Sequence, residues 1–223
     1  MTEEFFQRSV EQDAVRILFI LKFCGDPLPP QLPLSSDDRD YYICRIDSET
    51  KLQKLDFWVR YPDYLCLALL QACSQGYSKV VNCKGIVKSA IHLILENEEP
   101  RLRLIPMLKY LRGAYEPLDT VMSFLYSRGL VEAIFHKVNT CYDLTRRGDQ
   151  AVDGLQKECP ETRWYGERCK LINDFFGYLS GCEIRALQYE EQEYKGTMLS
   201  ELIAPVPLHK IAFRFEQIFG EPL

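Results

Sequence analysis

The sequence predicts a mainly α protein that carries one short β-hairpin, and three observations predict it. Apolar residues recur at three- and four-residue spacing through most of the chain. Strand-like runs are short, at Tyr41–Ile46, Leu130–Phe135 and Tyr142–Leu144. Capping residues, glycines and prolines fall where helical patterns start or stop. Three regions follow: an N-terminal helical region over 1–100 with a proline-rich loop at 25–38, a hairpin-containing module over 101–158, and a helical region with an acidic tail over 159–223.

The first helix is expected from about Glu4 to Phe23. Val10, Ala14, Ile17, Leu21 and Cys24 follow the four-then-three spacing of a heptad seam, and Leu18, Phe19 and Ile20 widen the apolar surface. Burial in the chain's own core and docking on a partner helix are both open on this pattern. GDPLPPQLPLSSDD, from Gly25 to Asp38, forbids helix through its four prolines. A helix capped by Asp47 or Ser48 runs to the residue before Pro62, with Leu52, Leu55 and Val59 on its inner face. Pro62 opens the next helix, DYLCLALLQACS, with Asp63 near its positive end. Trp58, Tyr61 and Tyr64 are large amphipathic groups of the kind enriched at interfaces or used in helix packing. Ser78–Leu95 reads as a further helix.

From Tyr110 to Leu155 the pattern changes. Leu118, Val121, Met122, Leu125 and Tyr126 share a helical face, and Arg128-Gly129 closes that helix. Leu130–Phe135 is strand-like, Lys137–Thr140 is a polar turn, Tyr142–Leu144 returns as a strand, and Thr145 caps a helix holding Gly148, Ala151, Val152 and Leu155. Helix, GLV strand, short hairpin, YxLT and helix together resemble a winged-helix (wHTH-like) module. Thr162–Ser180 is then a helix with Trp164, Arg168, Leu171, Phe175 and Leu179 on one stripe, and the chain closes on the amphipathic LHKIAFRFEQIF.

The 223-residue chain is 47% apolar and 26% charged, a globular composition, and its formal net charge of −5 argues against a protein devoted to neutralising phosphates. From Glu116 to Arg147 four acids (116, 119, 132, 143) face four bases (128, 137, 146, 147), so the module is locally neutral. Lys137, Arg146 and Arg147 remain the candidate DNA-backbone contacts. Acidic residues in MTEEFFQRSVEQDAVR stand where a signal peptide carries bases, no apolar run is long enough to span a bilayer, and a cytoplasmic location without membrane contact is expected. Nine cysteines with no CxxC pair read as reduced core residues, and three dispersed histidines make no zinc pattern.

Neither GxxxxGK[ST], GxGxxG nor GxSxG occurs, so no catalytic, metal or cofactor site is expected and the chain reads as a non-enzyme. Glu191-Gln192-Glu193-Tyr194-Lys195 contains the ExK triplet that metal-dependent nucleases use, with Asp174 as an upstream acid. Without hydrophobic alternation around it, a solvated acidic face in a loop-like segment is the favoured reading.

Three segments carry a family resemblance: KLQKLDFWVRYPDYLCLALL (Lys51 to Leu70), YEPLDTVMSFLYSRGLVE (Tyr115 to Glu132) and RWYGERCKLINDFFGYLSG (Arg163 to Gly181). Their order and spacing, from Ile43 to Tyr189, resemble the middle component of ABC-three-component systems, the group that includes Lamassu anti-phage and anti-plasmid defence. The resemblance implies a non-catalytic accessory subunit between an SMC-like (Rad50-like) ATPase and a nuclease-type effector, meeting DNA only through the complex. It gives Val10, Ile17, Leu21, Trp58, Tyr61, Tyr64 and Trp164 a purpose as candidate partner-interface residues. The alternative is a stand-alone winged-helix transcription regulator.

Overall fold

The computed structural model describes residues 9–28, 41–76, 83–96, 107–110, 113–115, 117–136 and 139–223. In chain order its elements are α1 (Val10–Cys24), β1 (Asp26–Pro27), β2 (Tyr42–Ile46), α2 (Glu49–Arg60), α3 (Pro62–Gln75), α4 (Cys83–Glu96), β3 (Leu108–Tyr110) and β4 (Gly113–Tyr115). Then follow α5 (Asp119–Ser127), β5 (Val131–His136), β6 (Asn139–Thr145), α6 (Arg146–Glu158), a 3-10 turn (Pro160–Thr162), α7 (Arg163–Phe176), α8 (Gly181–Glu190), α9 (Gln192–Gly196) and α10 (Leu208–Phe219). The described chain is therefore mainly helical, with a four-stranded antiparallel sheet and a separate two-stranded hairpin. No helix among the described residues is long and apolar enough to cross a membrane.

The chain divides into two compact units, Met1–Asp56 with Glu116–Asn173 and Phe57–Tyr115 with Asp174–Leu223. This grouping differs from the sequential division at 100 and 158. The reason is a strand pairing: β2 hydrogen-bonds to β6, so the N-terminal segment joins the hairpin's sheet instead of forming a region of its own.

In the first unit the strand order is β1-β2-β6-β5. α1 starts on a capping box in which the Gln12 N–H donates to Ser9 Oγ (3.3 Å) and the Ser9 N–H donates to Gln12 Oε1 (3.1 Å). The expected start near Glu4 lies outside the described residues, as does most of the proline-rich loop, residues 29–38. Gly25 ends the helix against β2: a Cβ there would sit 2.5 Å from the Leu21 carbonyl oxygen and 2.8 Å from Cys44 Sγ. α1 packs on α5, α6, β2 and β6, which explains its apolar surface on more than one side. Ile17, Phe19, Ile20, Leu21, Leu125, Val131, Leu144 and Val152 form a fully buried core.

In the second unit α3 is the central helix and packs on α4, α8 and α10. Pro62 sits in its first turn and Gly76, at φ 69°, ends it in the left-handed conformation that glycine adopts without strain. Its polar groups are satisfied by the chain from 203 to 206: Tyr61 and Tyr64 hydroxyls donate to the Ile203 and Ala204 carbonyls (3.3 and 2.8 Å), and Asp63 Oδ2 accepts the Val206 N–H (2.5 Å). The Lys109 ammonium donates to the carbonyls of Tyr194, Lys195 and Thr197 at 2.6, 3.0 and 2.7 Å, where α9 ends.

Candidate functional site

The surface with the clearest local logic is the hairpin of the first unit and the two helices that flank it. β5 and β6 pair from Val131↔Leu144 to His136↔Asn139, which sets Glu132 directly opposite Asp143. Two carboxylates in register repel. They coexist because β2 supplies a donor for each: Arg45 binds Asp143 through both oxygens (2.6 and 2.7 Å), and the Tyr42 hydroxyl donates to Glu132 Oε2 (2.5 Å). Burial and the Glu132 hydrogen bond push the Tyr42 phenol well above its ordinary pKa.

Thr145 turns the chain from β6 into α6. Its hydroxyl accepts the Gly148 N–H (3.0 Å) and lies within hydrogen-bonding distance of the Gly129 and Leu130 carbonyls (2.8 and 3.1 Å). Gly148 is required here, since a Cβ would stand 2.2 Å from the Leu130 carbonyl oxygen and 2.7 Å from Leu144 Cδ1. Gly129 takes φ 62° between helix and strand. The YxLTxxG spacing is thus a corner of two buried side chains, a cap and a close approach.

The outward face of α5 presents Asp119, Thr120, Ser123, Tyr126 and Ser127, one acid and no base. Arg128, just beyond it, sits over the Phe124 ring at 3.5 Å and donates to the Phe124 carbonyl and Ser127 Oγ (3.3 and 3.2 Å). Arg146 and Arg147 are exposed in the first turn of α6, and Lys137 lies outside the described residues. Phe135, near the end of β5, is 86% exposed. Such a face offers few phosphate counterions and one bare aromatic ring.

The candidate interface residues divide by burial. Val10 and Trp164 are half-buried, with the Arg168 guanidinium over the Trp164 ring at 4.8 Å. Ile17, Leu21, Trp58, Tyr61 and Tyr64 are interior, and the expectation that they form a partner surface is corrected. α1 is enclosed by sheet and helices of its own unit, and Phe57, Tyr61, Tyr64 and Tyr194 make an aromatic cluster in the other, with Phe57 stacked on Tyr61 at 4.6 Å.

The ExK string is corrected too. It lies at the end of α8 and in α9, not in a loop, and Glu191 is 4% exposed. Arg214 of α10 holds Glu191 at 2.6 and 3.1 Å, and Lys210 reaches Glu191 at 3.3 Å and Glu193 at 2.5 Å. Burial raises the Glu193 pKa, but the Lys210 hydrogen bond, a backbone hydrogen bond and the Lys210 and Arg214 charges together outweigh it, and the net shift is downward. These carboxylates fasten a helix. Among the described residues no group of three His, Cys, Asp or Glu side chains is placed to hold a metal ion. All nine cysteines are free, Cys159 and Cys182 exposed and the rest buried or half-buried.

No protein-family model matches the sequence, and no curated protein or solved structure matches it either.

Sequence reasoning missed Arg45, Asp143 and Glu132 as a set. The last two are visible on neighbouring strands, but nothing in YICRI announces that its arginine answers an aspartate 98 residues away.

Proposed function

We propose that this chain is a non-catalytic accessory subunit of an SMC-like ATPase complex, in which a winged-helix-like first unit holds partner proteins together and a nuclease-type effector completes the assembly. The antiparallel order β2-β6-β5 with α5 leading into the hairpin supports the winged-helix reading. The observation that carries the protein-contact role is the outward face of α5, where a DNA reader presents Arg, Lys, Asn or Gln and this chain presents one acid and no base. The segments quoted above for the ABC-three-component resemblance support the choice of partner. DNA is then met through the complex, and the likeness in role is to the accessory subunits that bind SMC heads and necks.

Gene neighbourhood is the first test, since a long coiled-coil ATPase and an effector should be encoded beside this chain. Affinity purification of the tagged chain with those two products should recover all three. Recovery of the chain alone would defeat the proposal.

A second reading, a stand-alone DNA-binding regulator, draws on the exposed Arg146 and Arg147. Its signature is tight duplex binding by the isolated chain that weakens steeply with salt and is lost in the double alanine variant.

A further inference from the structure

Two of the nine cysteines meet as a thiol pair in the second unit. Cys73 lies in the last turn of α3, three residues before the Gly76 that ends it, and Cys83 is the first residue of α4. α3 and α4 pack on one another, and the Cys73 and Cys83 thiols share a hydrogen bond. Both thiols are free, and both residues are half-buried, so neither is sealed from small solutes.

A second pair, in the first unit, shows what access changes. The Cys24 thiol donates to the Cys169 carbonyl at 3.4 Å, and the two thiols are hydrogen-bonded as well. Cys24 is 1% exposed and Cys169 0%. Burial pushes the Cys169 thiol well above its ordinary pKa. Oxidation follows thiolate character and exposure, and this inner pair is denied both.

We infer that Cys73 and Cys83 are a peroxide-sensitive modification site that closes to a reversible disulfide joining the end of α3 to the start of α4, while Cys24 and Cys169 stay reduced. Burial, the neighbouring Cys83 sulfur and its hydrogen bond push the Cys73 thiol up to about 11, against the opposing charge of Lys84. Cys73 therefore holds its proton, and Cys83 makes the first attack. The Cys83 sulfur takes one oxygen of hydrogen peroxide: an S–O bond forms, the O–O bond breaks, and the leaving hydroxide departs as water with the Cys83 proton. The Cys73 sulfur then displaces the sulfenic hydroxyl: the S–S bond forms, the S–O bond breaks, and a second water carries off the Cys73 proton. The two thiols lose two electrons and two protons, and peroxide is reduced to two waters. Nine residues separate the cysteines, so the bond closes a short ring that an external dithiol can reopen. This chemistry is independent of the proposed accessory role.

The test uses the full chain, reduced with dithiothreitol, desalted and treated with hydrogen peroxide at neutral pH before the remaining thiols are alkylated. Trypsin separates the pair because Lys79 lies between its members, and fragmentation tells Cys73 from Cys66 on the upstream peptide. The expected product is a Cys73–Cys83 cross-linked peptide, in about tenfold or greater excess over any Cys24–Cys169 cross-link and removed by dithiothreitol. In Cys73→Ser the Cys83 sulfenic acid loses its resolving partner and should accumulate as a dimedone adduct. Oxidation of Cys159 and Cys182 in the natural chain without any Cys73–Cys83 cross-link would overturn the inference. So would a Cys24–Cys169 cross-link formed to the same extent in the folded chain. Neither outcome touches co-purification with an ATPase, so the disulfide and the accessory role fail separately.

Discussion

Arg45 holds both carboxylate oxygens of Asp143, at 2.6 and 2.7 Å, and so ties β2 to β6 across 98 residues of sequence. Asp143 is fully buried, and the arginine's side chain is 11% exposed. Replacing Arg45 with Met strands a buried charge beside Glu132, and the cost should be about 3 kcal/mol in urea unfolding. The double variant Arg45→Met, Asp143→Leu should recover most of that loss, because both partners then become apolar together. A single variant within about 0.5 kcal/mol of the natural chain would show that the pair does not hold the sheet.

Two glycines of α6 should respond in opposite directions. Gly148→Ala forces a Cβ into the Leu130 carbonyl and should lose about 2 kcal/mol although alanine is the better helix former. Gly154 has open space around its Cβ position, so Gly154→Ala should gain about 0.5–1 kcal/mol. Thermal melts of the two variants side by side check the corner geometry directly.

The hairpin and its flanking helices were legible because their signals are local. Thr145 announces a cap, Arg128-Gly129 a helix end, and Leu130–Phe135 and Tyr142–Leu144 two short strand-like runs on either side of a polar turn. The two-unit arrangement was not legible. It depends on β2 finding β6 across the whole of residues 57–115, and no period or spacing in Tyr42–Ile46 encodes that partner. Burial was misjudged for the same reason. Trp58 and Tyr64 look like surface aromatics on two successive helices, yet both are interior, and Lys51 to Leu70 is buried throughout. The ExK string looked like a solvated face because its counterions, Lys210 and Arg214, come from α10, two prolines downstream.

Trp58 decides between core and interface. It is 1% exposed and packs on Phe176 at a ring separation of 4.5 Å. Trp58→Ala should cost the isolated chain about 4 kcal/mol. An interface role would leave the isolated chain's unfolding midpoint unchanged.

Acid should loosen the fastening of α10. The Glu193 pKa is lowered from its usual 4.5 in the folded chain. The Lys210 contact therefore contributes fully above 4.5 and is lost as the pH falls through the lower folded value. Urea midpoints measured from about pH 6 to pH 3 should decline more steeply for the natural chain than for Lys210→Met. Parallel curves would show that the pair contributes nothing.

The central proposal, that this chain works as a subunit, is tested most directly by light-scattering mass of the chain co-expressed with the ATPase and effector proposed as its partners. A single species heavier than ATPase and effector together, by one or more 26.0 kDa increments and formed without DNA, is the predicted result. A chain that elutes apart from both, at its own mass or a small multiple of it, and binds duplex DNA by itself would contradict the account.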